Sequence, residues 1–198
     1  MNSVAAPDQP DLDALRHADW RDVVLGEIFE ISSSKRVLQR QWRTEGVPFY
    51  RAREIVELAA TGRVDNELFI SEELYASFKD KYGVPEAGDL MVSAVGTLGA
   101  CYVVRRGDRF YFKDASVLRF KPKQPVCSEF FQHAFRTQAV LRQVNAGAGS
   151  TVGTYTISRA NNTRLRVPPV GVGLRRFSTK RMHCGPNAVL APHSLTLS

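Results

Sequence analysis

Apolar positions along this chain fall into short, repeatedly interrupted runs. The segment RDVVLGEIFEI, from Arg21 to Ile31, mixes a strand-like run with a turn of helix and predicts Val24, Leu25, Ile28, Phe29 and Ile31 as core residues. The polar stretch SSSKR, Ser32 to Arg36, follows it. GVPFYRAREI then starts at Gly46, where Pro48 favours an extended lead into a short strand. Ser71 to Tyr82 predicts a helix with Ser71 as N-cap, Glu72 and Glu73 at the positive end of its dipole and Lys79 and Lys81 at the negative end. Leu74, Tyr75 and Phe78 form its buried stripe, and Gly83 stops it.

From Gly88 to Phe120 the pattern turns to strands and turns: DLMVSAV, GTLG, ACYVV, RRGDR, FYF and SVLRF, most economically an antiparallel meander. A further helix is predicted over about Ser128 to Asn145, with Phe131, Ala134, Phe135, Leu141 and Val144 on one side and Gln138 interrupting the stripe. Beyond it, GAGSTVG forms a flexible turn, and TYTI and RLRVPP are short extended segments. No internal repeat is visible. Residues 1–19, rich in Asp and Pro and without a sustained apolar period, read as a poorly ordered lead-in.

With 198 residues, 43% of them hydrophobic, the chain has the means to build one folded core. No apolar run approaches the roughly 18 to 20 residues a membrane span needs, and no signal-peptide pattern opens the chain, so a soluble cytoplasmic protein is expected. Cys101, Cys127 and Cys184 are widely spaced and lack a CxxC pair, which argues for reduced thiols and against a zinc cage.

Charge changes the picture more. The formal net charge of +7 is uneven: 17 basic and 19 acidic residues precede Pro122, whereas 10 basic residues follow it with Glu129 as the lone acid. A cationic field of this kind favours polyanions, because each Lys or Arg that meets a phosphate releases counterions from nucleic acid.

Four loops are candidates for contact. In SSSKR, Lys35 and Arg36 suit phosphate or base contact, or form an ordinary solvated turn. In FYRARE, Arg51 and Arg53 project from one side of a strand if the extended run continues, and can then hold adjacent phosphates or reach guanine; pairing with Glu54 or Glu57 is the alternative. GTLG places Thr97 at an exposed tip between Gly96 and Gly99, or is only a hairpin turn. GAGSTVG offers backbone amides, Ser150 and Thr151 to phosphate oxygens, but lacks the GK[ST] ending of an ATP-binding loop. The four histidines are scattered, and no carboxylate, His or Cys constellation resembles a catalytic or metal site. A non-enzymatic protein without cofactor or metal is the expectation.

In order, WRDVVLGEIFEI, SSSKRV, GVPFYRAREIV, LFISEELYASFKDKYGVPEAGDLMVSAVGTLG, YFKDASVLRF and GAGSTVGTYTI resemble the target recognition domain of type I restriction-modification specificity (S) subunits, over about Trp20 to Pro169. The resemblance implies an α+β fold: a twisted, partly barrel-like, mainly antiparallel sheet with two or three helices. It also implies that the domain reads one half of a split double-stranded DNA target in the major groove, while separate methyltransferase (M) and restriction (R) subunits do the chemistry. The DNA-contact candidates are then Lys35, Arg36, Arg51, Arg53, Thr97, Lys113, Ser150, Thr151 and Tyr155. A second specificity half-subunit is a possible partner. A relic or decoy that binds methyltransferase subunits without reading DNA is the competing expectation.

The resemblance fails after Pro169, where the family turns into a spacer helix. Here GVGLRRFSTKRMHCGPNAVLAPHSLTLS follows, with no acidic residue, no heptad and several Gly and Pro breakers. The division expected is therefore a lead-in over residues 1–19, a recognition domain over 20–169, and an irregular tail over 170–198. A shifted or truncated reading frame near Val170 is one account of that tail. A basic extension that adds phosphate contacts through Arg175, Arg176, Lys180 and Arg181 is the other.

Overall fold

The structure, a computed structural model, describes residues 20–146 and 153–168. The two ends of the described body lie side by side. Strand β1 (Arg21–Val24) pairs antiparallel with β9 (Arg164–Val167), Arg21 opposite Val167. A single helical turn, α1 (Leu25–Ile28), reverses the chain into β2 (Phe29–Ser32). The strand-like run and helical turn of RDVVLGEIFEI are as expected; the second strand, β2, was not, and Val23 is buried while Val24 is only partly covered, because β1 turns Val23 and Leu165 inward as a cross-strand pair.

A four-stranded sheet in the order β2-β8-β5-β6 forms the centre, every pairing antiparallel, from β5 (Leu90–Ser93), β6 (Cys101–Val103) and β8 (Val117–Pro122). Strands β5 and β8 run through the core: Leu90, Met91, Val92, Leu118 and Phe120 are all buried. The predicted meander is interrupted. Strand β7 (Tyr111–Phe112) leaves this sheet and pairs parallel with β3 (Val47–Tyr50), which also holds β4 (Phe69–Ile70) on its other side. The resulting α+β architecture is mainly antiparallel, and no sheet closes into a barrel among the described residues.

Helix α2 (Ala52–Thr61), which the apolar pattern did not announce, starts directly at the end of β3 and packs Ile55 and Leu58 against Met91, Tyr102 and Phe112. Helix α3 (Glu72–Tyr82) forms as expected. Ser71 Oγ accepts the Leu74 N–H, Tyr75 and Phe78 are buried, and Gly83 ends it at φ 73°, a left-handed value that suits glycine.

The long helix expected near the end is broken in two, α4 (Ser128–Ala134) and α5 (Gln138–Val144), because Thr137 is extended and stands as N-cap of the second piece. The break lets Phe131 and Phe135 meet Phe29 and Phe120 edge-to-face at 4.9 and 5.6 Å, while Val140 and Val144 close the same core. Each such ring or aliphatic side chain, fully buried, stabilises the fold by roughly 1.5–3 kcal/mol. The TYTI segment, expected to be extended, is irregular and leads into a short helix, α6 (Ile157–Asn162), before the extended RLRV of β9. Cys101 and Cys127 are both buried. Residues 1–19 and the whole 170–198 division lie outside the described residues, Cys184 included.

Candidate nucleic-acid interface

Strand direction collects the candidate loops. Strands β2, β3, β5 and β7 all deliver their C-terminal ends to one edge, where β8 begins, and backbone hydrogen bonds tie the loops that leave them. Lys113 N–H donates to the Tyr50 carbonyl at 2.8 Å, joining the exits of β7 and β3. Ser34 Oγ donates to the Phe112 carbonyl at 2.7 Å, and the Ala115 N–H donates to Ser33 Oγ at 3.1 Å, fastening the turn after β2 to the same place. Ala94 N–H reaches the Ser116 carbonyl at 2.8 Å, and Tyr155 N–H reaches the Ala94 carbonyl at 2.9 Å. Five segments distant in sequence are thereby held as one surface, with no contribution needed from their charged side chains.

Lys35, Arg36, Arg51 and Lys113 stand on this edge. Lys35 is exposed; its backbone N–H donates to the Tyr111 hydroxyl at 3.0 Å, and its ammonium lies 5.7 Å from the Tyr82 ring centroid. Burial pushes the Tyr111 phenol up to about 12, so it stays neutral while it accepts that bond. Arg36, side chain 71% exposed, donates from Nε to Asp114 at 2.9 Å. Among the described residues Lys35 and Lys113 have no carboxylate within ion-pair distance, which leaves their charge available to an external anion. Ala115, φ 57°, is the only non-glycine residue of the described set in the left-handed region, and it sits in this same turn.

The two arginines of FYRARE do not share a strand face. Strand β3 ends at Tyr50, Arg51 is the residue before α2, and Arg53 lies in that helix's first turn. What unites them is Glu54, fully buried beneath both. Its carboxylate accepts the Arg51 backbone N–H at 2.8 Å, Arg51 Nη2 at 2.7 Å and Arg53 Nε at 3.0 Å, and Arg53 also reaches Glu67 at 3.2 Å. Burial pushes the Glu54 carboxyl up, but the Arg51 side chain and backbone, joined by Arg53, outweigh it and hold it at about 2. The pairing read as an alternative to contact is present, and it leaves Arg53 exposed and Arg51 partly so.

Thr97 is exposed at the tip of the β5–β6 turn, on the flank where Val56 and Ala59 of α2 approach Leu141. Its carbonyl accepts from Ser93 Oγ, which also takes the Ala100 N–H at 2.9 Å. Tyr155 is a correction. It is fully buried among Phe135 and its neighbours, with its hydroxyl 2.9 Å from Thr163 Oγ1, so it braces the edge from below and touches nothing outside. Ser150 and Thr151 lie outside the described residues.

Of the residues that shape the edge, Glu54 was read as a pairing partner, whereas Asp114 was not singled out, though it was legible as the acid beside Lys113; the bracing role of Tyr111 depends on the β3–β7 pairing, which leaves no local trace. No group of three or more His, Cys, Asp or Glu that could hold a metal ion occurs among the described residues.

A model of the family described as type I restriction modification DNA specificity domain matches residues 17–172. A putative type I restriction enzyme specificity subunit from Haemophilus influenzae is 25% identical over 150 residues, 75% of this chain and 36% of that protein. Among solved structures, a chain from a study of complex assembly and conformational transition of the type I R-M system superposes with a TM-score of 0.55 at 14% identity, over 85% of this chain and 37% of that one. The HsdS subunit from Thermoanaerobacter tengcongensis gives 0.51 at 14% identity, over 84% and 36%. These likenesses show a shared fold, and the chain spans about a third of the length of each relative.

Proposed function

This chain belongs to the type I restriction modification DNA specificity domain family, and from that premise we propose that its loop edge reads one half of a split double-stranded DNA target. The observation that carries the reading is the stitched edge itself: Lys35, Arg36, Arg51 and Lys113, with Thr97 on its flank, lie on loops bound to one another through backbone groups and the Ser33 and Ser34 hydroxyls. Lysine and arginine there neutralise phosphates and set the register, while a guanidinium can take guanine O6 and N7 as a pair.

Two kinds of support separate specific reading from general attraction to polyanions. The edge is cross-linked by hydrogen bonds, which places its donors before DNA arrives and lowers the ordering cost left to pay on binding. Its arginines are also oriented by carboxylates, Arg36 by Asp114 and Arg51 by Glu54, which fixes the direction of each fork. In this reading residues 20–169 are the recognition domain, and it acts in the cytoplasm beside methyltransferase and restriction subunits that carry out the chemistry. No helix among the described residues is long and apolar enough to cross a membrane.

The test is selection of bound fragments from random duplex DNA, with and without a partner methyltransferase subunit. A short, reproducible consensus is expected, kept but bound more weakly when Lys35 and Lys113 are both changed to Ala. Recovery of DNA without any consensus, at an affinity set by salt alone, defeats the reading.

A further inference from the structure

Next to the loop edge lies a second concavity, between the turn after β2 and the end of α3. Ser32, Ser34, Lys35, Glu86, Arg119 and Lys121 line it. Arg119 is the unusual member. Its side chain is 8% exposed, its Nε donates to the buried Asp89 at 2.6 Å, and its Nη1 lies beneath Gly83. Its Nη2 has no hydrogen-bond partner among the described residues. A guanidinium nitrogen taken from water without an acceptor is costly, and such groups are rare in folded proteins.

What stands opposite that nitrogen is a surface carboxylate. Glu86, 61% exposed, places Oε2 3.8 Å from Arg119 Nη2, beyond hydrogen-bond reach, and 3.4 Å from Lys121 Nζ. We infer that this cleft is a seat for a phosphate oxyanion, and that the Glu86 carboxylate stands where the phosphate sits. A planar carboxylate presents one oxygen to two cations from too far away. A tetrahedral phosphate has oxygens to spare for Arg119, Lys121 and the Ser32 hydroxyl together, and the Lys35 ammonium borders the same cleft. Asp89 neutralises Arg119 from behind, while Glu86 pairs with Lys121 until the anion arrives and Glu86 swings into solvent; Glu30 also lines the cleft.

The seat deepens the reading above and rests on it for one of two sources of phosphate. A duplex lying along the loop edge brings backbone phosphates past Lys35 to this cleft; free inorganic phosphate has the same chemistry. The Arg119 Nε–H, held by Asp89, is the reporter. In the full chain its NMR signal is followed during titration with inorganic phosphate and, separately, with a duplex recovered by selection, for the wild type, Glu86→Gln and Lys121→Gln. Arg119 itself is left intact because it neutralises Asp89, and both altered side chains are at least 46% exposed, so the fold is retained.

Phosphate is expected to move the Arg119 signal. Glu86→Gln should tighten phosphate by roughly two- to fivefold and Lys121→Gln should weaken it by a similar factor. With the duplex, Lys121→Gln should lower the slope of log affinity against log salt by about 0.9, one phosphate contact. A signal that phosphate leaves unmoved, with Glu86→Gln neutral toward both ligands, overturns the seat; if the duplex still binds, sequence reading survives that result. A signal that phosphate moves and the duplex does not, with a salt slope that Lys121→Gln leaves unchanged, supports the seat and assigns it to free phosphate.

Discussion

Glu54 takes both the backbone N–H and the guanidinium of Arg51, at 2.8 and 2.7 Å, so that the first turn of α2 and the exit of β3 are locked by a single buried carboxylate. Because the folded-state value of about 2 lies below the ordinary 4.5, its stabilising effect is complete above about pH 4.5 and is lost as the pH falls toward 2. Glu54→Gln should cost on the order of 2–3 kcal/mol at neutral pH and remove that part of the acid sensitivity. Urea denaturation at pH 7 and pH 3 checks it: wild type and variant should differ less at the lower pH.

Lys35 and Lys113 are the two edge cations without an ion-pair partner among the described residues, so replacing them orphans no buried acid. The double change Lys35→Ala, Lys113→Ala should leave the unfolding midpoint nearly unchanged and lower the salt slope of DNA affinity by roughly 0.9 for each lost phosphate contact. Fluorescence anisotropy across a salt series measures it. An unaltered slope removes both lysines from the interface.

Tyr155 makes the opposite prediction. Removing its hydroxyl in Tyr155→Phe leaves the buried Thr163 Oγ1 without this partner and should cost about 1–2 kcal/mol of stability, while the selected DNA consensus stays the same. Thermal unfolding paired with fragment selection separates the two effects. A changed consensus at unchanged stability would restore Tyr155 as a contact residue.

Gly99 closes the β5–β6 turn at φ 77°, and a Cβ there meets Val144 Cγ1 at 3.2 Å. Gly99→Ala should therefore cost about 1–2 kcal/mol, combining left-handed backbone strain with a crowded contact on α5. If equilibrium denaturation shows no loss, the turn has another conformation open to it.

How much of this was legible depended on whether the deciding interaction was local. Helix α3 was visible because Ser71, Glu72, Lys79 and Gly83 each act within one turn of their own position. Helix α2 was hidden because its inward face includes the charged Glu54, whose burial makes sense only once Arg51 and Arg53 are folded over it. Thr137 and Thr156 both carry a helix-starting residue type, and reading them as caps would have found the break before α5 and the start of α6. The parallel pairing of β3 with β7 joins residues some sixty positions apart and has no local signature.

The loops named as candidates do share one edge, while what supports that edge was largely missed. Lys35, Arg36, Arg51 and Lys113 meet on one edge, yet all four come from the acid-leaning part of the chain before Pro122, so the bulk charge gradient pointed away from them. Backbone topology, not composition, concentrates the cations. Tyr155 was misplaced because an aromatic after a glycine-rich loop suits stacking on a base as well as burial, and only the packing of Phe135 against it decides.

The pairing of Arg21 with Val167 means that everything between them hangs from one point. A segment closed in this way can be lifted out of one polypeptide and set into another with a single geometric requirement, the few ångströms between two neighbouring strands. On the proposed reading, target preference would then travel as a cassette, because the loops of the edge move together.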